Sequence, residues 1–170
     1  AARGLPVIAP DLAGLGNPGT QAYLDNRAQG WQLLDGGAAL TTLTGGAAST
    51  RAVLVGYSQG GGAALSAQSL IADATAPIDV VATVAIAPQW PTRLNSFGYE
   101  ELLRDPDRLT ILTGLSASSI AVLRQYAFFE TRLGPGRGPD AFAPARRDDV
   151  REAVESRCLI SLGAFVQTSM

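Results

Sequence analysis

The 170-residue chain has the length of one ordinary domain, and its 46% apolar and 16% charged residues suit a packed core rather than disorder. Thirteen basic and fifteen acidic residues leave a net charge of −2 with no basic stripe, so neither nucleic acid nor an anionic membrane surface is an expected partner. There is no histidine, the usual general base and commonest metal ligand, and one cysteine, Cys158, makes no internal disulfide and no Cys-rich zinc site.

No apolar stretch approaches the roughly 20 residues of a membrane helix, so no integral membrane segment is expected. Ala1-Ala2-Arg3-Gly4 carries no initiator Met and no signal-peptide pattern. It runs almost directly into a strand, which predicts a chain that begins within a domain.

Leu5 to Ala9 reads as a short buried parallel strand ending at Pro10-Asp11. Asp11 to Thr20, rich in Gly and Pro, is loop. Leu24, Ala28, Trp31, Leu34 and Ala38 recur at helical spacing and predict a helix over Asn26 to Leu43. Gly36-Gly37 weakens that helix, and Gly45-Gly46 ends it. Arg51 to Tyr57 is a second strand. A helix from Gln59 to about Asp73 follows, turning Ala63, Ala67, Leu70 and Ile71 to the core. Ile78 to Ala87, apolar and β-branched, predicts a third strand covered on both faces. This alternation is the signature of an α/β parallel sheet.

After Pro88 no further strand run stands out. Ser116 to Leu133 is an apolar helix through Ile120, Leu123, Tyr126 and Ala127, stopped by Gly134-Pro135-Gly136. A polar helix follows from about Arg147 to Arg157, with Asp148 and Asp149 in its first turn, where the helix dipole favours them. Cys158 to Met170 predicts one more helix. The chain thus divides into a sheet-bearing part, residues 1–88, and a helical part, residues 89–170.

Gly56-Tyr57-Ser58-Gln59-Gly60 satisfies G-x-S-x-G at the junction of a predicted strand and a predicted helix. A nucleophile elbow needs this arrangement. The turn is sharp, the serine is held in a strained conformation, and the glycines at 56 and 60 avoid collisions with strand and helix. Ser58 would stand exposed above the sheet at a helix N-terminus, and the Gln59 backbone N–H would be an oxyanion-hole donor.

The segment GYSQGGGAAL resembles the elbow of the secretory lipase family, the lipases related to Candida lipase A. The upstream VIAPDLAGLGNPGTQAYLDNRAQGWQLLD resembles the same family, with its strand, Asp, GLG-x-PG loop, Tyr-Leu pair and helix ending in Leu-Asp. Together the two blocks cover residues 5 to 66 in order. The resemblance implies an incomplete α/β-hydrolase parallel sheet, with residues 89–170 as a helical lid or cap. It further implies a secreted carboxylic-ester hydrolase acting on lipid or other esters through an acyl-enzyme at Ser58, without cofactor or metal. In that family the catalytic Asp and His follow the lid, and the second oxyanion donor precedes the strand at Leu5. The chain alone is therefore expected to be inactive.

The strand that would separate Leu5–Ala9 from the elbow strand is also absent. This predicts open sheet edges and an aggregation-prone chain. Thermal unfolding followed by light scattering is expected to show aggregation; a cooperative transition without scattering would contradict it.

Asp11 is read as structural, and Asp105, Asp107 and Asp140 as solvated loop carboxylates rather than triad members. Trp31, Trp90, Phe128 and Phe129 suit an acyl pocket but are more simply core or lid residues. Cys158 suits either a buried free thiol or a partner outside the segment. Gly14 to Gly19 satisfies G-x-G-x-x-G, yet Pro18 interrupts it and the helix starts late, so a dinucleotide site is disfavoured. The same GLGNPG letters resemble peptidyl-tRNA hydrolases, which need a histidine shortly after. Two further readings of the elbow are an acyltransferase using the same Ser58 and a non-catalytic binding module.

Overall fold

The computed structural model describes residues 4–72, 76–89 and 114–169. The chain divides into two units, Ala1–Trp90 and Pro91–Met170.

In the first unit, β1 (Arg51–Tyr57) pairs in parallel with β2 (Asp79–Ile86). The register shifts after Ala52↔Val80, so that Val53 faces Ala82 and Val81 is skipped. Such a bulge lets one strand absorb an extra residue without turning the rest of its side chains to the wrong face. Leu54 on β1 is buried with Leu34 of α1 (Asn26–Leu43), with Ala64, Ala67 and Leu70 of α2 (Gln59–Leu70), and with Ile78. Trp31, Ala38, Ala52 and Val80 pack around this cluster, so Trp31 serves the core.

The helix α1 spans the predicted residues and shows what its glycines are for. A Cβ on Gly30 would lie 2.8 Å from the Ala67 nitrogen, one on Gly36 2.9 Å from Pro10 Cγ, and one on Gly37 2.6 Å from Ile78 Cδ1. The intrinsic helix cost of these glycines is therefore offset by close packing against α2, Pro10 and Ile78. At the helix C-terminus Gly45, at φ 61°, donates to the Thr42 carbonyl and Gly46 to that of Thr41. This Schellman pattern satisfies carbonyls that the helix itself leaves open. At the other end the Asp25 carboxylate caps the Ala28 N–H at 3.0 Å.

Three expectations need correction. Leu5–Ala9 is not a strand: it has no ladder partner among the described residues, and Leu5 and Val7 are 68% and 73% exposed. A β-strand is defined by its neighbour's hydrogen bonds, which apolar composition alone does not supply. Second, β2 is covered on one face only. Val53, Val55, Tyr57, Val84 and Ile86 stand exposed on the other, a contiguous apolar face of the kind that favours association. Third, α2 stops at Leu70 rather than near Asp73, which itself lies outside the described residues.

The second unit is helical among its described residues: α3 (Gly114–Leu133), α4 (Arg147–Ser156) and α5 (Leu159–Ser169), with short 3-10 turns at Gly138–Ala141 and Pro144–Arg146. Val122 and Tyr126 of α3 bury against Val150 and Ala153 of α4 and Leu162 and Val166 of α5. Gly138 lies under the Tyr126 ring, where a Cβ would come within 2.2 Å of Cε1. The Glu130 carboxylate holds that turn by accepting from the Gly136 and Gly138 N–H groups, both at 2.7 Å. Asp140 is no solvated loop carboxylate: it sits in the first 3-10 turn, is only 25% exposed and pairs with Arg137 and with Arg147, which gives it a structural role. Phe128 is exposed and meets Phe129 edge-on, with the Arg132 guanidinium 5.8 Å above its ring. Cys158 is an exposed free thiol, which corrects the buried alternative. No helix among the described residues is long and apolar enough to cross a membrane.

Tyr126 gives this unit a pH dependence. The residue is 1% exposed, and desolvation, then the carboxylates of Glu155 and Glu130, push its phenol up to about 12. An unfolded phenol ionises near pH 10. The stability from keeping Tyr126 neutral is therefore intact below about pH 10 and is lost as pH rises towards 12, at about 1.4 kcal/mol per pH unit. Ultraviolet titration should show a tyrosine step well above pH 10 that Tyr126→Phe removes. A titration unchanged by Tyr126→Phe in that range would refute the assignment.

Candidate active site

The predicted elbow is built where β1 turns into α2. Ser58 occupies the N-cap of α2 with φ 52° and ψ −114°, a region that residues with a Cβ rarely enter. The turn closes this tightly only because Gly56 has no side chain: a Cβ there would sit 2.0 Å from the Gly60 carbonyl oxygen. Gly60 does not match its expected role, since a Cβ on it would meet nothing within 4 Å among the described residues. The close approaches fall on its neighbours, with a Cβ on Gly61 2.9 Å from Pro88 Cα and one on Gly62 2.3 Å from the Gln89 carbonyl oxygen. Residues 60–62 are thus a glycine run in which the second and third do the accommodating.

Main-chain hydrogen bonds fix the serine from both sides. Its N–H donates to the Ile86 carbonyl at 3.0 Å, and its carbonyl accepts from Gly62 at 3.1 Å and from Gln89 at 2.9 Å. The Ser58 side chain makes no capping bond to α2, and the residue is half-exposed. As the first residues of a helix, Gln59, Gly60 and Gly61 have N–H groups with no carbonyl one turn back to receive them. They point where negative charge is favoured. The arrangement presents a hydroxyl beside a set of backbone donors, the pairing that nucleophilic acyl transfer needs.

The surroundings are rich in amides. Asn26 Oδ1 lies by Gly62, 3.3 Å from where its Cβ would be, and Tyr23 Oη donates to Gln89 Oε1 at 3.4 Å. Buried polar atoms of Gln21, Asn26, Gln29 and Gln59 have no protein partner. The sequence reading met Tyr23 in the Tyr-Leu pair and Asn26 as a helix start but gave neither of them, nor Gln89, a place beside the elbow; the Pro88 that ends the apolar run was the available signal for a turn beside Ser58.

No general base is found among the described residues. The chain has no histidine. Asp11 is exposed, with its carboxylate 3.8 Å from where a Gly16 Cβ would be. Asp105, Asp107 and Trp90 lie outside the described residues. Gly14 begins a loop closed on itself: its N–H donates to Asn17 Oδ1 at 2.9 Å, and a Cβ on it would strike the Gln21 nitrogen at 2.2 Å. That closure occupies the N–H a pyrophosphate would have needed. No group of three or more His, Cys, Asp or Glu side chains that could hold a metal occurs among the described residues.

Because glycine adopts positive φ without strain, Ser58→Gly is expected to raise stability by about 1 kcal/mol in chemical denaturation. A destabilised variant would show that the elbow conformation is unstrained.

The model described as the alpha/beta hydrolase family matches residues 1–167. No individual curated protein and no solved structure matches the chain.

Proposed function

The chain belongs to the alpha/beta hydrolase family, and on that premise we propose that it is the nucleophile-bearing part of a serine carboxylic-ester hydrolase of the lipase or esterase type. The observation that carries the reading is Ser58 at φ 52° on a strand-to-helix turn that only Gly56 permits. Strain of this kind persists at sites where geometry serves chemistry.

In the proposed reaction Ser58 Oγ attacks the ester carbonyl while a base takes its proton. The Gln59 N–H stabilises the tetrahedral oxyanion, the alcohol leaves with a proton returned by the base, and water then cleaves the acyl-enzyme to the free acid. The base is proposed to be a histidine supplied from outside these 170 residues, paired with an Asp likewise outside them. Without it the serine is a weak nucleophile at neutral pH.

Lipid esters are the favoured substrates and a secreted enzyme the favoured setting. Both rest on the secretory-lipase resemblance of residues 5 to 66. Residues 89–170 are proposed as the lid. Their exposed Phe128 and half-buried Phe129 are consistent with a surface that meets an acyl chain.

Reaction with a fluorophosphonate, mapped by peptide mass spectrometry, tests the reading. The product of the full reading frame is expected to be labelled at Ser58 and to hydrolyse triacylglycerol emulsions and nitrophenyl esters, whereas Ser58→Ala and the 170-residue chain are expected to be inert. Full-length protein that resists labelling, or is labelled elsewhere, would remove Ser58 as the nucleophile and leave a non-catalytic module. Acyl transfer to an alcohol outpacing hydrolysis would make it an acyltransferase with the same intermediate.

A further inference from the structure

Leu24, Ser58 and Ala87 are the non-glycine residues with positive φ among those described, at 60°, 52° and 43°. Hydrogen bonds join the turns of Ser58 and Ala87 directly, and the neighbour of Leu24 reaches the same turn. Ala87 is where the chain leaves β2. The carbonyl just before it, on Ile86, accepts from the Ser58 N–H, and the N–H two residues beyond it, on Gln89, donates to the Ser58 carbonyl. Leu24 adjoins Tyr23, whose hydroxyl donates to the Gln89 side chain. Backbone strain survives only where the surroundings over-determine it.

The same exit turn presses on α2. Gly61 and Gly62 are the two positions where a Cβ would collide, with Pro88 and with the Gln89 carbonyl respectively. An alanine at either would push the turn off the helix and lift the Gln89 N–H away from Ser58. Two glycines and one strained alanine therefore serve one contact.

That contact bears on chemistry through peptide planarity. The Ser58 carbonyl and the Gln59 N–H belong to the same rigid peptide unit. A bond that fixes the carbonyl end also aims the N–H end. Accepting a hydrogen bond at the carbonyl further polarises the unit, which strengthens its N–H as a donor.

We propose that the exit turn Ala87–Gln89 is a clamp that aims the Gln59 N–H at the oxyanion, with Ala87 and Gln89 as positioning residues. The proposal rests on the reading of Ser58 as nucleophile. It adds that catalytic geometry is set from β2 as well as from the elbow. Because the oxyanion forms only on the way to the tetrahedral intermediate, a loosened clamp lowers kcat and leaves KM in place.

Ala87→Gly tests this, since glycine accepts the positive φ and removes the strain without adding a group. In the full-length protein it is expected to keep or raise Tm, to lower kcat about tenfold at unchanged KM, and to speed Gln89 amide hydrogen exchange about tenfold while amides of α5 exchange as in wild type. Gly62→Ala, which displaces the turn directly, should lower Tm because its Cβ meets the Gln89 carbonyl at 2.3 Å, and where it folds it should show the same loss of kcat and the same faster Gln89 exchange. A Gln89 amide that exchanges freely in wild type overturns the clamp, as does wild-type kcat in Ala87→Gly with Ser58 reactive. A wild-type Ser58 that does not react with a fluorophosphonate instead overturns the hydrolase reading and, with it, the catalytic meaning of the clamp.

Discussion

A carbonyl oxygen stands where the side chain of residue 56 would otherwise be. The Gly60 carbonyl lies 2.0 Å from an ideal Cβ on Gly56, so the last turn of β1 and the first turn of α2 coexist only because that position is glycine. From this close approach follow the positive φ of Ser58, the exposure of its hydroxyl at the head of a helix, and the seating of the β2 exit turn against Gly61 and Gly62. Relaxing it would cost the site its shape before it cost the unit its core. The core residues Leu34, Leu54, Ala67 and Leu70 lie along the bodies of the helices and strand rather than at the turn.

The same economy of side chains runs through the helix pair. Gly30 lets α1 meet α2 at Ala67, and Gly36 and Gly37 seat Pro10 and Ile78. Backbone dispersion contacts at such crossings replace those that larger side chains would make, and they hold the loop before α1 near the elbow. Only one face of the sheet benefits. The other, with Val53, Val55, Tyr57, Val84 and Ile86 exposed, has the apolar character of a strand pair meant to be covered. This face, together with the strand edges, gives the expected aggregation of the chain a physical basis.

Function is divided between what the chain holds and what it lacks. It holds a serine at positive φ on the N-cap of a helix, the geometry from which the hydrolase proposal is argued. It lacks a histidine, and among the described residues no carboxylate accepts a hydrogen bond from the Ser58 hydroxyl. Membership of the alpha/beta hydrolase family fits the first half of this description, while the ester substrate, the base and the lid remain proposals.

Much of the local structure was legible in the residues. Helical spacing from Leu24 to Ala38 and the short apolar run centred on Ala52–Val55 returned α1 and β1 at their observed bounds, because amphipathic period and turn glycines act within a few residues. G-x-S-x-G likewise marked the strand-to-helix turn that holds Ser58 at positive φ, since that geometry is local to one turn. Pairing and coverage were not legible. Whether Leu5–Ala9 is a strand depends on a neighbour to hydrogen-bond, and whether β2 is buried on one face or two depends on what packs there. Neither is written in the segment itself. The role of Ala87 and Gln89 beside Ser58 also belongs to the tertiary structure. It arises from two chain segments about thirty residues apart brought within hydrogen-bond reach, a distance relation that no periodicity encodes. The sequence by itself therefore determined which turns and helices form and which serine sits at the strand-to-helix turn. Only the folded unit decided which groups surround that serine and which faces are left open, because those depend on contacts made through space.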